Sequence, residues 1–150
     1  MEKRITPVFI IDEANHISSS ILNDFKMLFN FEMDSKDRAI VLLMGTPMLN
    51  NTLRLKANEA LRQRITMNYN MGNLSKEDAR SYIKSKLQSA NSHQTVFDES
   101  ALEAIINASN GVPRIINKIC DMCLIIGNEQ SVELINADIS MAAVNEIELG

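Results

Sequence analysis

Two neighbouring carboxylates, Asp12 and Glu13, follow directly on the apolar run Val8-Phe9-Ile10-Ile11. An uninterrupted β-branched and aromatic run predicts a strand buried on both faces of a parallel sheet. The acids then stand at the carboxyl end of that strand, the edge where open α/β sheets bind their ligands. Paired carboxylates there are candidates for holding a hard divalent cation or for acid–base chemistry. The plainer alternative is an acidic strand end that caps the helix after it. Other reactive types are weaker candidates. Cys120 and Cys123 form a lone CxxC within the helical pattern Ile115, Ile116, Ile119, Met122, Ile126, and only His16 and His93 remain as further soft ligands, without ligand spacing. Reduced thiols packed as small apolar side chains fit better than zinc.

The elements that must hold the carboxylates can be placed from periodicity. A strand over 6–11 leads to a helix with Ser18 to Ser20 as caps and Ile21, Leu22, Phe25, Leu28 and Phe29 at helical spacing; a polar loop over 33–37 then leads to a second buried strand over 39–44, closed by Gly45-Thr46-Pro47. Helical pattern resumes after Pro47 and runs to Arg64, and Ile65, Met67, Tyr69 and Met71 alternate with polar residues as a strand does. Beyond Gly72 the period is helical throughout. A Ser75/Asp78 capping box opens one helix, a second starts near Asp98 and stops at Gly111, a third spans Pro113 to a terminating Gly127, and a fourth begins at Asn136. The chain is therefore expected to be α/β over residues 1–73, a partial parallel-sheet core, and all-helical over residues 74–150.

Composition narrows the setting. The 150 residues are 45% hydrophobic and 23% charged, and no apolar stretch approaches the ~20 residues that cross a bilayer. The short, soon-acidic start is unlike a signal peptide, so a cytoplasmic location is expected. The formal net charge of -4 divides unevenly: residues 1–73 hold 9 Lys/Arg against 8 Asp/Glu, and residues 74–150 hold 6 against 11. Overall charge thus gives no nucleic-acid footprint, and the one basic cluster, Arg54, Lys56, Arg62 and Arg64, reads equally as a solvated face.

Taken in order, five motifs resemble the AAA+ P-loop ATPases. They are Val8-Phe9-Ile10-Ile11-Asp12-Glu13-Ala14, Leu43-Met44-Gly45-Thr46-Pro47-Met48-Leu49, Leu53-Arg54-Leu55, Glu59-Ala60-Leu61-Arg62-Gln63-Arg64-Ile65 and Ala108-Ser109-Asn110-Gly111-Val112-Pro113-Arg114. Within that class the chain is similar to the general secretion pathway protein A family and to ATPase subunits encoded beside transposases in bacterial mobile elements. The resemblance implies ATP and Mg2+ as cofactors. It makes Asp12 the Walker B magnesium residue, Glu13 the residue that orients or deprotonates the attacking water, and Thr46 the sensor 1 residue, where many relatives have Gln. Arg64 matches an arginine finger acting on a neighbouring subunit's nucleotide, with Arg62 as its rival, and Arg114 matches sensor 2, whose planar fork suits phosphate oxygens. Relatives often read Asp-Glu-Ala-His; here Asn15 takes the His position and His16 follows it.

None of Gly45, Gly72, Gly111, Gly127 and Gly150 opens a GxxxxGK[ST] phosphate-binding loop. The resemblance therefore implies that this loop precedes residue 1 in a complete relative, and that residues 1–150 alone do not hydrolyse ATP. It also implies a self-assembling oligomer. The leading expectation is an ATP-dependent helper in DNA transposition, with transposase and double-stranded DNA as partners. The alternatives are a secretion-pathway ATPase and a non-catalytic module that makes oligomer contacts.

Overall fold

The two apolar runs do pair as strands. In the computed structural model, which describes residues 6–28, 39–92 and 94–149, β1 (Val8–Ile11) lies parallel to β2 (Ile40–Leu43), with Val8 opposite Ile40 and Ile11 opposite Leu43. Between them runs α1 (Ser19–Leu28), entered through a short 3-10 turn at Ala14–His16. After β2 come α2 (Met48–Arg54), a second 3-10 turn at Lys56–Asn58 and α3 (Glu59–Arg62). The polar loop expected over 33–37 lies outside the described residues.

Described residues fall into two compact units, Met1–Tyr69 and Asn70–Gly150. The first is centred on Ala14, Leu22, Leu49, Leu53 and Leu61, with Ile11, Ile17, Phe25 and Leu43 packed around them. Among the described residues of this unit the buried polar side chain is Asn58, fully enclosed where α3 packs on α1 and α2; its amide donates to Ser19 Oγ at 3.1 Å and to the Thr52 carbonyl at 2.7 Å. A buried amide is tolerated when it is bonded in this way, and here it ties the start of α1 to the segment that carries Arg62 and Arg64.

Three expectations for this unit need correction. The strands are not covered on both faces: Val8, Phe9, Ile10, Ile40 and Leu42 are exposed, because two four-residue strands offer too few neighbours to bury both faces of a sheet. No strand forms over 65–71, where Met67, Tyr69 and Met71 stand almost fully exposed; a period-2 pattern becomes a strand only when a neighbour accepts its hydrogen bonds. The helical stretch predicted through to Arg64 is broken, since Leu55 is extended (φ -60°, ψ 141°).

The second unit contains α4 (Lys76–Ser89), α5 (Glu99–Ser109), α6 (Pro113–Glu129) and α7 (Ala137–Leu149). Ile83, Phe97, Ile105, Ile116, Ile119, Cys123, Ile135 and Ile139 form its core. Short polar side chains start the helices as their types predict. Ser75 Oγ accepts from the Asp78 N–H, Asp98 Oδ1 from the Ala101 N–H at 2.7 Å and Asn136 Oδ1 from the Ile139 N–H. The Ser100 hydroxyl and the Ala101 N–H together hold the Asp98 carboxyl below its ordinary 3.8. Tyr82 on α4 donates to Asn117 Oδ1 on α6 at 3.1 Å.

Gly127 does not end α6. It lies buried within the helix, which continues to Glu129, and a Cβ there would come 3.4 Å from Ile135 Cγ1. That is ordinary van der Waals contact, so neither a chain reversal nor a steric need marks this glycine. Gly111 is the true turn residue. Its φ is +72°, an added Cβ would stand 2.2 Å from the Leu74 carbonyl oxygen, and its own carbonyl accepts from the Leu74 N–H at 2.9 Å. Gly111→Ala is therefore expected to destabilise the second unit by roughly 1–3 kcal/mol, since both the left-handed backbone and the close approach to Leu74 oppose a side chain. Urea unfolding followed by circular dichroism checks this; an unchanged midpoint would contradict the geometry.

Candidate active site

The parallel register decides what meets at the carboxyl edge. With Ile11 level with Leu43, the next residues along each strand lead into two adjacent loops, Asp12-Glu13-Ala14-Asn15 and Met44-Gly45-Thr46. Backbone bonds join them: Met44 N–H donates to the Ile11 carbonyl and Ala14 N–H to the Met44 carbonyl, each at 2.8 Å. Asp12, Glu13 and Thr46 are thereby brought to one sheet edge, and all three are exposed there.

Local strain marks this edge. Glu13 adopts φ 52°, ψ 33°, a left-handed conformation that costs a side-chain-bearing residue about 1–2 kcal/mol. Two contacts hold it: Asp12 Oδ1 accepts the Glu13 N–H at 2.8 Å, and Ala14 next along is completely buried in the core of the unit. The reversal turns the chain sharply off β1, so that Glu13 begins the 3-10 turn instead of continuing the strand. Asn15 Oδ1 accepts the Thr46 N–H at 3.0 Å and crosses from one loop to the other. His16 ends the turn in an exposed position, and His93 lies outside the described residues.

The donor set suits magnesium better than a softer metal. Asp12 keeps Oδ2 beyond its bond to Glu13, and among the described residues no group of three or more His, Cys, Asp or Glu side chains gathers as a ready cage. One carboxylate completed by waters and phosphate oxygens is the ligand pattern that magnesium accepts.

The predicted cations sit on other elements. Arg62 is the last residue of α3 and Arg64 follows it, its N–H donating to the Leu61 carbonyl; both are exposed, on the segment that Asn58 fixes to α1. Arg114 is exposed in the first turn of α6, after Pro113, and so belongs to the second unit. That unit also has a cavity of about 320 Å3 between α4 and α6, lined by Tyr82, Lys86, Phe97, Asn117, Cys120 and Asp121 among others, and it contains none of the residues singled out for ATP chemistry. Cys120 and Cys123 are free thiols. Burial, with Cys123 and Asp121 nearby, pushes the Cys120 thiol up to about 12, and burial likewise raises Cys123, so neither is a nucleophile at neutral pH.

Sequence reasoning overlooked Asn15 and Asn58. The sequence marks Asn15 only as standing where relatives have a histidine, although Gly45 directly before Thr46 signals a close approach to that backbone. Nothing in local spacing marks Asn58, whose partners Thr52 and Ser19 lie 6 and 39 residues away.

Known proteins share parts of this sequence and this fold. The family described as an AAA domain matches residues 1–53. General secretion pathway protein A of Aeromonas hydrophila is 38% identical over 137 residues, covering 91% of this chain; the chain spans 25% of that protein's length. Among solved structures, a variant of Thermotoga maritima RuvB superposes with a TM-score of 0.71 at 16% identity, covering 92% of this chain and 43% of its own. The Thermotoga maritima RuvB Holliday junction branch migration motor superposes with a TM-score of 0.64 at 19% identity, over 92% and 43% of the respective chains. Sequence and fold together identify the chain as AAA+ ATPase-like, with a resemblance to general secretion pathway protein A.

Proposed function

We propose that Asp12 and Glu13 are the Walker B pair of an ATP-hydrolysing site, and that Thr46 acts beside them as sensor 1. The observation that carries this reading is the register of β1 and β2, which delivers both acids and Thr46 to the same carboxyl edge. ATP and Mg2+, when bound, supply the phosphoryl group and the charge that neutralises it. Asp12 would hold the metal, Glu13 would orient the attacking water and accept its proton, and the Thr46 hydroxyl would donate to a phosphate or water oxygen. Arg64 is assigned to the nucleotide of a neighbouring copy, and Arg114 to the terminal phosphate through its planar fork. The active form is then a self-assembled oligomer.

The assignments are tested in the full-length gene product. Glu13→Gln keeps the shape of the side chain but not its basicity, so ATP binding is expected to persist while turnover falls by about 10²-fold or more. Arg64→Ala is expected to lower turnover by up to about 10³- to 10⁵-fold with ATP affinity in the same subunit retained. Mixing the two variants should restore activity at interfaces that join an intact Arg64 to an intact Glu13. No recovery at any ratio contradicts action across subunits.

Two biological roles follow from the family likeness. The 38% identity to general secretion pathway protein A favours an ATPase that drives assembly in a secretion pathway. The transposition helper, a cytoplasmic protein working with transposase and duplex DNA, rests on local wording, Asn30-Phe31-Glu32-Met33-Asp34-Ser35 and Glu59-Ala60-Leu61 before Arg62. No described helix is long and apolar enough to cross a membrane, which either role permits in this part of a protein. Fluorescence anisotropy of labelled duplex DNA with the full-length gene product separates them. A DNA helper binds when ATP is present, and its affinity falls steeply with salt as counterions are released. An ATP-bound oligomer that leaves duplex DNA free at low salt supports the secretion role.

A further inference from the structure

Two loops that are to act on one phosphate need a fixed distance between them, and β1 and β2 end before either active residue is reached. Asn15 spans the gap. Its Oδ1 accepts the Thr46 N–H at 3.0 Å, just past the Ala14-to-Met44 backbone bond. Gly45 lies directly beneath this contact: an added Cβ would stand 2.6 Å from Asn15 Oδ1 and 3.2 Å from Asn15 N. The amide oxygen and the absent side chain at position 45 are thus a matched pair. With its N–H committed to Asn15, Thr46 has only its hydroxyl left as a donor, and Asn15, two residues after Glu13, fixes the loop that carries it.

We propose that Asn15, packed against Gly45, is a positioning residue that sets Thr46 against Glu13 for the attack of water on the terminal phosphate. The inference rests on the catalytic reading of Glu13 and Thr46. A side chain serving only to stabilise the loop would lower activity through loss of folded protein, whereas a positioning side chain acts through Thr46 and leaves ATP binding in place. Misplacement of a reacting group by about 1 Å lowers rates by up to about 10²-fold, which sets the scale of effect.

The test uses the full-length gene product and a thermodynamic cycle of Asn15→Ala with Thr46→Val. Asn15→Ala is expected to lower kcat about 10- to 100-fold with KM for ATP within about threefold, and to add little once Thr46→Val is present, because residues acting as a unit are not additive. If Thr46→Val leaves kcat unchanged, the sensor reading of Thr46 fails and this proposal with it. If Thr46→Val lowers kcat while Asn15→Ala is silent, or multiplies with it, the positioning role alone is overturned. A second measurement needs no variant: in the unaltered protein the Thr46 amide should exchange with deuterium at least about tenfold more slowly than an open-loop amide, as a bonded N–H does. Exchange at the open-loop rate overturns the latch even where Asn15→Ala does not fold.

Discussion

The parallel pairing of β1 with β2 is the constraint on which the rest of the first unit depends. Four matched residues per strand, from Val8 opposite Ile40 to Ile11 opposite Leu43, fix where each chain leaves the sheet. A slip of one residue would turn every apolar side chain to the opposite face and would also move Asp12 and Glu13 out of step with Thr46. The Ala14-to-Met44 and Asn15-to-Thr46 bonds then carry the register past the strand ends into the loops.

Strain and packing are distributed around that pairing in a consistent way. Glu13 holds an unfavourable backbone conformation, and its neighbours compensate through the Asp12 carboxylate and the burial of Ala14. Farther along, Asn58 fastens the segment before Arg62 and Arg64 to the first turn of α1. The second unit solves a similar problem with a glycine: the bond between Gly111 and Leu74 fixes how the chain enters α4 relative to the turn between α5 and α6, just ahead of Arg114. In both units a residue proposed to act on the nucleotide stands within a few residues of such a bond.

What the sequence made legible is what local chemistry decides. Ser75, Asp98 and Asn136 are short polar acceptors before helical patterns, and they cap those helices. The runs before Asp12 and Gly45 are strands because β-branched residues crowd a helix and fit a pleat. Legibility fails where an outcome depends on a distant neighbour. Alternation over Ile65 to Met71 indicates a strand, yet no chain among the described residues pairs with it. The exposed faces of β1 and β2, the latch at Asn15 and the anchor at Asn58 likewise depend on what lies across the fold rather than along the chain.

The central claim is that the carboxyl edge of β1 and β2 receives the metal and the nucleotide. Paramagnetic relaxation tests it directly, with Mn2+ replacing Mg2+ in the nucleotide complex of the full-length gene product. Broadening of amide signals falls off so steeply with distance that the residues nearest the ion identify themselves. The account predicts strongest broadening at Asp12, Glu13 and Thr46, weaker effects toward Val8 and Ile40 at the far ends of the strands, and little around the cavity between α4 and α6. Broadening centred on that cavity, with Asp12 and Glu13 unaffected, would contradict it.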